Sequence, residues 1–312
     1  MGRALPKMDS LSTANVEFCL DVFKELSSNH AGDNVFFSPL SLLYALSMIL
    51  LGARGDSAAQ MEKVLHFNHI VESSGPEFKD LAKCNRAGRI HSELGALFSQ
   101  INRPDSNYTL SIANRLYGTK AMAFHEGKSV TVEMMYQTGK FKLALIEEPQ
   151  MQVLELPYVN NTLSMIILLP VGTADLDQVE KQLNSKAFQE WTSPSNMVRR
   201  DVEVHLPRFK LEIKYELSSL LESLGMTGIF SQVRADLSGI SPVKGLFVSK
   251  VIHKSYVEVN EEGTEAAAAT GDVLVVKRLP IRAQFVANHP FLFFIKHFHT
   301  NTILFCGKLA SP

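Results

Sequence analysis

The dibasic pair Lys277-Arg278 is the part of this 312-residue sequence whose chemistry is easiest to interpret. Trypsin-like proteases cut after a basic side chain that enters an acidic specificity pocket, so an exposed pair would be a target. We expect the bond after Lys277 to be cut, or the bond after Arg278 if the register is one residue longer. A run of small side chains precedes the pair and could enter a packed strand without overfilling it. It comprises Gly263, Thr264, Glu265, Ala266, Ala267, Ala268, Ala269 and Thr270.

Taken alone, the run favours a helix or a flexible linker, because Ala has the highest intrinsic helix propensity. Its neighbours favour a different interpretation. Residues 246–259 are rich in β-branched and aromatic side chains and predict a long strand. Two further strand-like runs follow at 290–295 and 302–306. A long loop between strands is often functional, so residues 261–280 combine a protease target with a potential strand.

The other motifs do not predict a catalyst. Ser241 and Lys244 fit a Ser-x-x-Lys pattern that is too short to be specific, and no Gly-x-Ser-x-Gly motif occurs. Two His pairs, His66 with His69 and His297 with His299, lack nearby Cys or a Glu-x-x-His motif. We therefore expect no metal site and no cofactor.

The elements that must position the loop are helices first and strands afterwards, which predicts an α+β fold. Apolar spacing close to the helical period predicts helices at 13–28, 57–65, 87–101, 175–191 and 215–224. Ser38-Pro39 opens a further helix, because proline fits the first turn. Strands are predicted at 108–117, 130–136, 141–146, 151–158 and 163–169.

Composition limits the classes of partner. A net charge of −1 gives no electrostatic reason to bind nucleic acid. Three scattered cysteines, Cys19, Cys84 and Cys306, predict free thiols and a reducing compartment rather than a disulfide framework. The first residues lack a signal-peptide core, and the apolar runs are too short to span a membrane. These features predict a cytoplasmic protein that does not bind membranes.

Several blocks, taken in order, resemble the serpin family, and within it the intracellular ovalbumin-like (clade B) branch. The blocks are residues 34–41, 51–55, 112–118, 153–158, 165–170, 206–210, 289–295 and 305–312. The resemblance implies one serpin domain over 1–312, monomeric, with helices packed on a large mixed sheet plus smaller sheets. Residues 1–7 would be an N-terminal extension, 71–86 a variable surface loop and 261–280 the exposed reactive-centre loop.

The resemblance also implies a mechanism. Serpins are suicide substrates: a serine protease, here a trypsin-like one, cuts the loop near Lys277, and the cleaved loop inserts as a strand of sheet A. Residues 263–270 would be the loop hinge. Ser38, Ser41 and His253 match the polar shutter over which the sheet opens. The resemblance also allows release from the cell by a non-classical route, as for similar serpins.

One departure from the family pattern puts that mechanism in doubt. Residues 118–128 join two blocks that serpins separate by helix F and the third strand of sheet A, so roughly 60–90 residues are missing, judged by length. The shutter's asparagine on that strand has no counterpart. The chain is then either a protease trap or the alternative, a non-inhibitory serpin or short isoform that is only cleaved as a substrate.

Overall fold

The computed structural model describes residues 10–29, 32–70, 82–101, 133–158, 162–242, 244–259 and 282–311. Helices precede most of the strands, which confirms the predicted α+β class. The helices are α1 Ser10–Asn29, α2 Pro39–Gly52, α3 Gly55–Val64, α4 Ala82–Ile101, α5 Leu176–Gln182, α6 Ser185–Trp191 and α7 Ser218–Ser223, with a 3-10 turn at Phe67–Ile70. The strands are β1 Val35–Phe37, β2 Met134–Ile146, β3 Met151–Pro157, β4 Leu163–Pro170, β5 Val198–Pro207, β6 Phe209–Glu216, β7 Ile252–Val259, β8 Ala283–Val286, β9 Phe291–His297 and β10 Ile303–Leu309.

These strands form two sheets. Eight of them follow the order β1-β10-β9-β4-β3-β2-β5-β8, and β6 pairs with β7 in a separate antiparallel pair. Neighbours in the large sheet are antiparallel except β5 and β8, which run parallel. The two-stranded sheet lies across β1, so one face of the large sheet is covered by strands and the other by helices.

Each face of the large sheet supports its own core, since strand side chains alternate between faces. Along β4, Ile166 and Leu168 enter the helix-side core with α1 and α6, whereas Met165 and Ile167 enter the sheet-side core with β6 and β7. Stacked rings strengthen the sheet-side core: Phe36 lies 5.9 Å from Phe293, centroid to centroid. The sheet-side core holds both strands that flank residues 261–280, since Val259 of β7 and Phe285 of β8 belong to it.

Four sequence predictions need correction. The predicted strands 130–136 and 141–146 are one strand within the described residues, because the polar residues between them pair with β5 without a break. The predicted helix 175–191 is two helices, since Asn184 is extended and caps α6 with its side chain. The predicted helix 215–224 starts only at Ser218, because Tyr215 pairs with His253 in the β6–β7 sheet. The strand predicted at 246–259 begins at Ile252; the preceding backbone bonds elsewhere, with the Val248 N–H donating to the Ile229 carbonyl.

One loop boundary also differs. The surface loop predicted for 71–86 ends earlier, because α4 begins at Ala82. The strand predicted at 108–117 and the junction 118–128 lie outside the described residues. Within the described ranges, no helix combines the length and apolarity that crossing a membrane would need.

Candidate functional site between the two sheets

The start of α2 is the centre of the site, and its local sequence explains its geometry. Ser38 has an extended backbone, and its Oγ accepts a hydrogen bond from the Ser41 N–H at 3.3 Å, as an N-cap residue does. Pro39 occupies the first helical position, where its missing N–H is not needed. The Ser38 hydroxyl also donates to the Leu304 carbonyl of β10 at 2.8 Å. Ser38 therefore joins the helix start to the large sheet.

His253 on β7 reaches the same point from the other sheet. Its Nε2 accepts the backbone N–H of Ser38 at 2.9 Å, so the proton of the neutral ring is on Nδ1. The residue is 4% exposed, and burial lowers the pKa of His253 to about 4. Because Nε2 must keep its lone pair to accept this bond, the ring is neutral at physiological pH. Ser41 is buried, and its backbone N–H donates to the Ser38 Oγ, so the three residues predicted for the shutter lie in one hydrogen-bonded group.

Two further polar residues belong to this site and were missed from the sequence. The Ser255 hydroxyl donates to the Phe36 carbonyl at 2.8 Å, and the Tyr215 hydroxyl accepts the Phe36 N–H at 3.2 Å. Burial raises the pKa of Tyr215 to about 12, with the hydrogen bond from Phe36 acting in the opposite direction. Ser255 could have been found, since it lies two residues after His253 and shares its face. Tyr215 falls in the helix predicted at 215–224, whereas it lies in β6.

We call Ser38, Ser41, Tyr215, His253 and Ser255 the inter-sheet cluster. Its hydrogen bonds connect β6 and β7 to β1, α2 and β10. The geometry is not that of a nucleophile activated by a base, because His253 accepts a backbone N–H while the Ser38 hydroxyl donates to a carbonyl. The cluster positions strands and has no arrangement for chemistry. In the described part of the chain, no group of three or more His, Cys, Asp or Glu side chains could hold a metal ion.

The predicted hinge 263–270 and the basic pair Lys277 and Arg278 lie outside the described residues, but both flanks are described. The chain leaves the two-stranded sheet at Val259, the end of β7, and enters the large sheet at Ala283, the start of β8. Among the described strands, β7 pairs only with β6.

Comparison with known sequences shows which family the chain resembles. The family model for serpins, the serine protease inhibitors, matches residues 13–126 and 119–312. The chain is similar to Serpin B11 of Homo sapiens, at 60% identity over 98% of this chain and 100% of that protein. It is 37% identical to the leukocyte elastase inhibitor of Equus caballus, over 98% and 100%. The alignment with the human protein runs over 392 residues, whereas this chain has 312.

Solved structures with the serpin fold also resemble this chain. A structure of uncleaved ovalbumin has a TM-score of 0.78 and 31% identity, covering 97% of this chain and 100% of ovalbumin. A structure of maspin has a TM-score of 0.73 and 28% identity, covering 98% and 99%. Members of the matching family are protease inhibitors and not catalysts. The chain belongs to the serpin family, in its clade B branch.

Proposed function

We propose that this chain presents residues 261–280 to trypsin-like serine proteases as a bait loop and is cut after Lys277. Family membership supports the bait role, and the basic side chains of Lys277 and Arg278 support the protease class. The described flanks support the location, since the segment connects the end of β7 to the start of β8 in a different sheet. The protein would act as a monomer in the cytoplasm.

We further propose that cleavage turns the chain over as a substrate and does not trap the protease. The observation that carries this proposal is the pairing of β7, whose described partner is β6 alone. A strand inserted beside β7 needs a second strand on its far side to satisfy its remaining N–H and C=O groups. The family model matches in two pieces that overlap at 119–126. The alignment with Serpin B11 runs over 392 positions, which is longer than the 312 residues of this chain. Both support a missing segment that contained this second strand.

The competing function is that of a full trap, which the family implies. A trap would need a strand from residues 102–132 to replace the missing third strand of sheet A, so that an inserted loop could pair with it as well as with β7. The two functions predict different products on mixing with a protease: a covalent complex that survives SDS for a trap, and two fragments for a substrate.

Trypsin tests both proposals in one experiment. The purified chain is exposed briefly to trypsin, and the products are separated by SDS gel electrophoresis and identified by mass spectrometry. We expect fragments without a complex, and an early cut after Lys277. The dibasic pair Arg199-Arg200 is an internal comparison, because it lies within β5 and should be cut later. An SDS-stable complex would contradict the substrate proposal, and an early dominant cut outside 276–279 would contradict the loop assignment.

A further inference from the structure

A cleft of about 430 Å³ opens on the helix-side face of the large sheet, at the end formed by β2, β3 and β4. Phe298, in the turn that follows β9, forms one of its walls. The volume falls in the range of small-molecule sites. None of the described residues that line the cleft belongs to the inter-sheet cluster.

Strand register brings polar side chains together at this cleft. Lys142 on β2 lies opposite Glu155 on β3 and Arg199 on β5. Ser164 on β4 lies opposite Lys296 on β9. By alternation these residues share the face of Ala144, Val153, Ile166 and Phe294, which all enter the helix-side core. A row of polar groups therefore crosses the end of an otherwise apolar face.

The charge of the cleft is positive. Lys140, Lys142 and Arg199 line it together with Glu155, whose Oε2 lies 2.7 Å from the Lys142 Nζ. The buried carboxylate of Glu155 therefore neutralises the charge of Lys142. In the described ranges, Lys140 and Arg199 have no acidic partner. Asp201 lies opposite Lys140 in the register of β2 and β5 but forms no ion pair with it, and Arg199 lies opposite Lys142. Both cations therefore remain available to an anion.

Ser164 gives a second and independent indication of a ligand. The residue is 1% exposed, and its Oγ has no hydrogen-bond partner among the described residues. An unpaired buried hydroxyl is destabilising, and such a group in a native structure calls for a partner. Because Ser164 lines the cleft, a bound oxyanion is placed to accept its proton.

Lys296 on β9, opposite Ser164, is affected by the charges of the cleft. Its Nζ donates to the Asn301 Oδ1 at 3.3 Å. Burial lowers the pKa of Lys296, the charge of Lys142 lowers it further, and Glu155 opposes both. A bound anion would stabilise the charged form of this buried amine.

The remaining walls are apolar. Phe298 is 44% exposed, and the Lys142 Nζ lies 5.5 Å from the centre of its ring. Pro157 and Leu163 line the cleft beside it. An exposed ring in a cleft that is also lined by Lys140 and Arg199 fits a ligand that has both an apolar body and a charged head.

We propose that this cleft binds a small organic anion. Its single carboxylate, sulfate or phosphate head contacts Arg199, Lys140 and the Ser164 hydroxyl, and its apolar or aromatic body packs on Phe298. None of the residues assigned to this site belongs to the bait loop, so the proposal does not depend on whether the chain is a trap or a substrate.

Calorimetric titration of the purified full chain tests the site with 2-naphthyl phosphate as the probe. Inorganic phosphate supplies the head alone and 2-naphthol supplies the body alone. We expect the complete probe to bind at least about tenfold more tightly than either part, because charge-assisted hydrogen bonds and apolar contacts both contribute. Equal binding of phosphate and the probe, or no saturable binding of the probe, would overturn the proposal.

Two adjacent arginines provide a matched pair of variants. Arg199 lines the cleft, while Arg200 pairs with Phe141 and projects to the opposite face. Arg199→Gln should weaken binding of the probe about tenfold or more, the loss typical of one charge-assisted hydrogen bond. Arg200→Gln should leave it unchanged. Equal effects of the two substitutions would show that binding depends only on general surface charge.

Ser164→Ala separates the hydroxyl's role in binding from its role in folding. It removes an unpaired buried group, so the unliganded chain should keep or raise its Tm. Binding of 2-naphthyl phosphate should weaken severalfold. If affinity is unchanged, Ser164 does not contact the anion, and the assignment of the head position is wrong.

Discussion

The His253 Nε2 accepts the backbone N–H of Ser38 at 2.9 Å, which joins β7 to the first turn of α2. Protonation would place an N–H of the ring against this backbone N–H and break the bond. Burial disfavours the charged ring as well. The contact between the two sheets is therefore intact only while His253 is neutral.

Stability should depend on pH through this histidine. The pKa of His253 is about 4 in the folded chain against 6.5 when unfolded. The stabilisation is therefore fully present above pH 6.5 and is lost as pH falls towards 4, by about 3 kcal/mol in total. Denaturant unfolding at pH 4, 5, 6 and 7 measures it. His253→Gln should show a flatter pH dependence, and an unchanged slope in this variant would assign the effect to other groups.

A buried ion pair ties α1, α5 and β10 together. The Lys308 Nζ lies 3.1 Å from the Glu180 Oε1 and donates to the Ser27 hydroxyl at 2.6 Å, which in turn donates to the other carboxylate oxygen at 2.7 Å. Lys308→Met should lower the free energy of unfolding by about 3–5 kcal/mol, because Glu180 is left buried and unpaired.

The double variant Lys308→Met with Glu180→Leu is the control for this network. Replacing both charges by apolar groups removes the uncompensated carboxylate, so most of the lost stability should return. Chemical denaturation of the wild type, both single variants and the double variant gives the coupling energy. Additive losses would show that the two side chains do not interact in solution.

Gly307 on β10 lies beneath the ring of Phe293 on β9. A Cβ built on Gly307 would come within 2.3 Å of that ring. Gly307→Ala should therefore destabilise the chain by about 1–3 kcal/mol through overpacking. Gly95→Ala in α4 is the matched control: among the described residues outside its own helix backbone, no atom lies within 4 Å of an added Cβ, and helix propensity predicts a gain of about 0.5–1 kcal/mol. Similar losses at both glycines would contradict the packing argument.

The sequence predicts those features that depend on residues close together along the chain. Ser38-Pro39 predicted the start of α2 because the cap and the first-turn proline act locally. Asn184 lies inside the helix predicted at 175–191, although its side chain caps α6 and α5 already ends at Gln182. Residues 137–140 separate the two strands predicted at 130–136 and 141–146, but β5 pairs with them and keeps the strand continuous.

The inter-sheet cluster was only partly predictable for a related reason. Its three predicted members came from family resemblance, not from spacing. The contact of Ser255 with Phe36 joins residues 219 positions apart, and no local pattern specifies it. The cleft around Ser164 arises likewise from the register of five strands. Long-range pairing determines both sites, so each became visible only in the folded chain.

The final prediction concerns Asp272, which lies outside the described residues, so its face is assigned from the sequence. If Thr264 points inward on an inserted strand, alternation places Asp272 inward as well. A buried unpaired carboxylate is costly and should slow insertion, which gives the protease time to complete hydrolysis. In a chain with the missing segment restored, Asp272→Ala should therefore trap a larger fraction of trypsin, measured as a lower stoichiometry of inhibition. Asp272→Leu should do the same, whereas Val273→Ala, on the outward face, should not. Equal stoichiometry in all of these proteins would mean that Asp272 points outward or finds a partner.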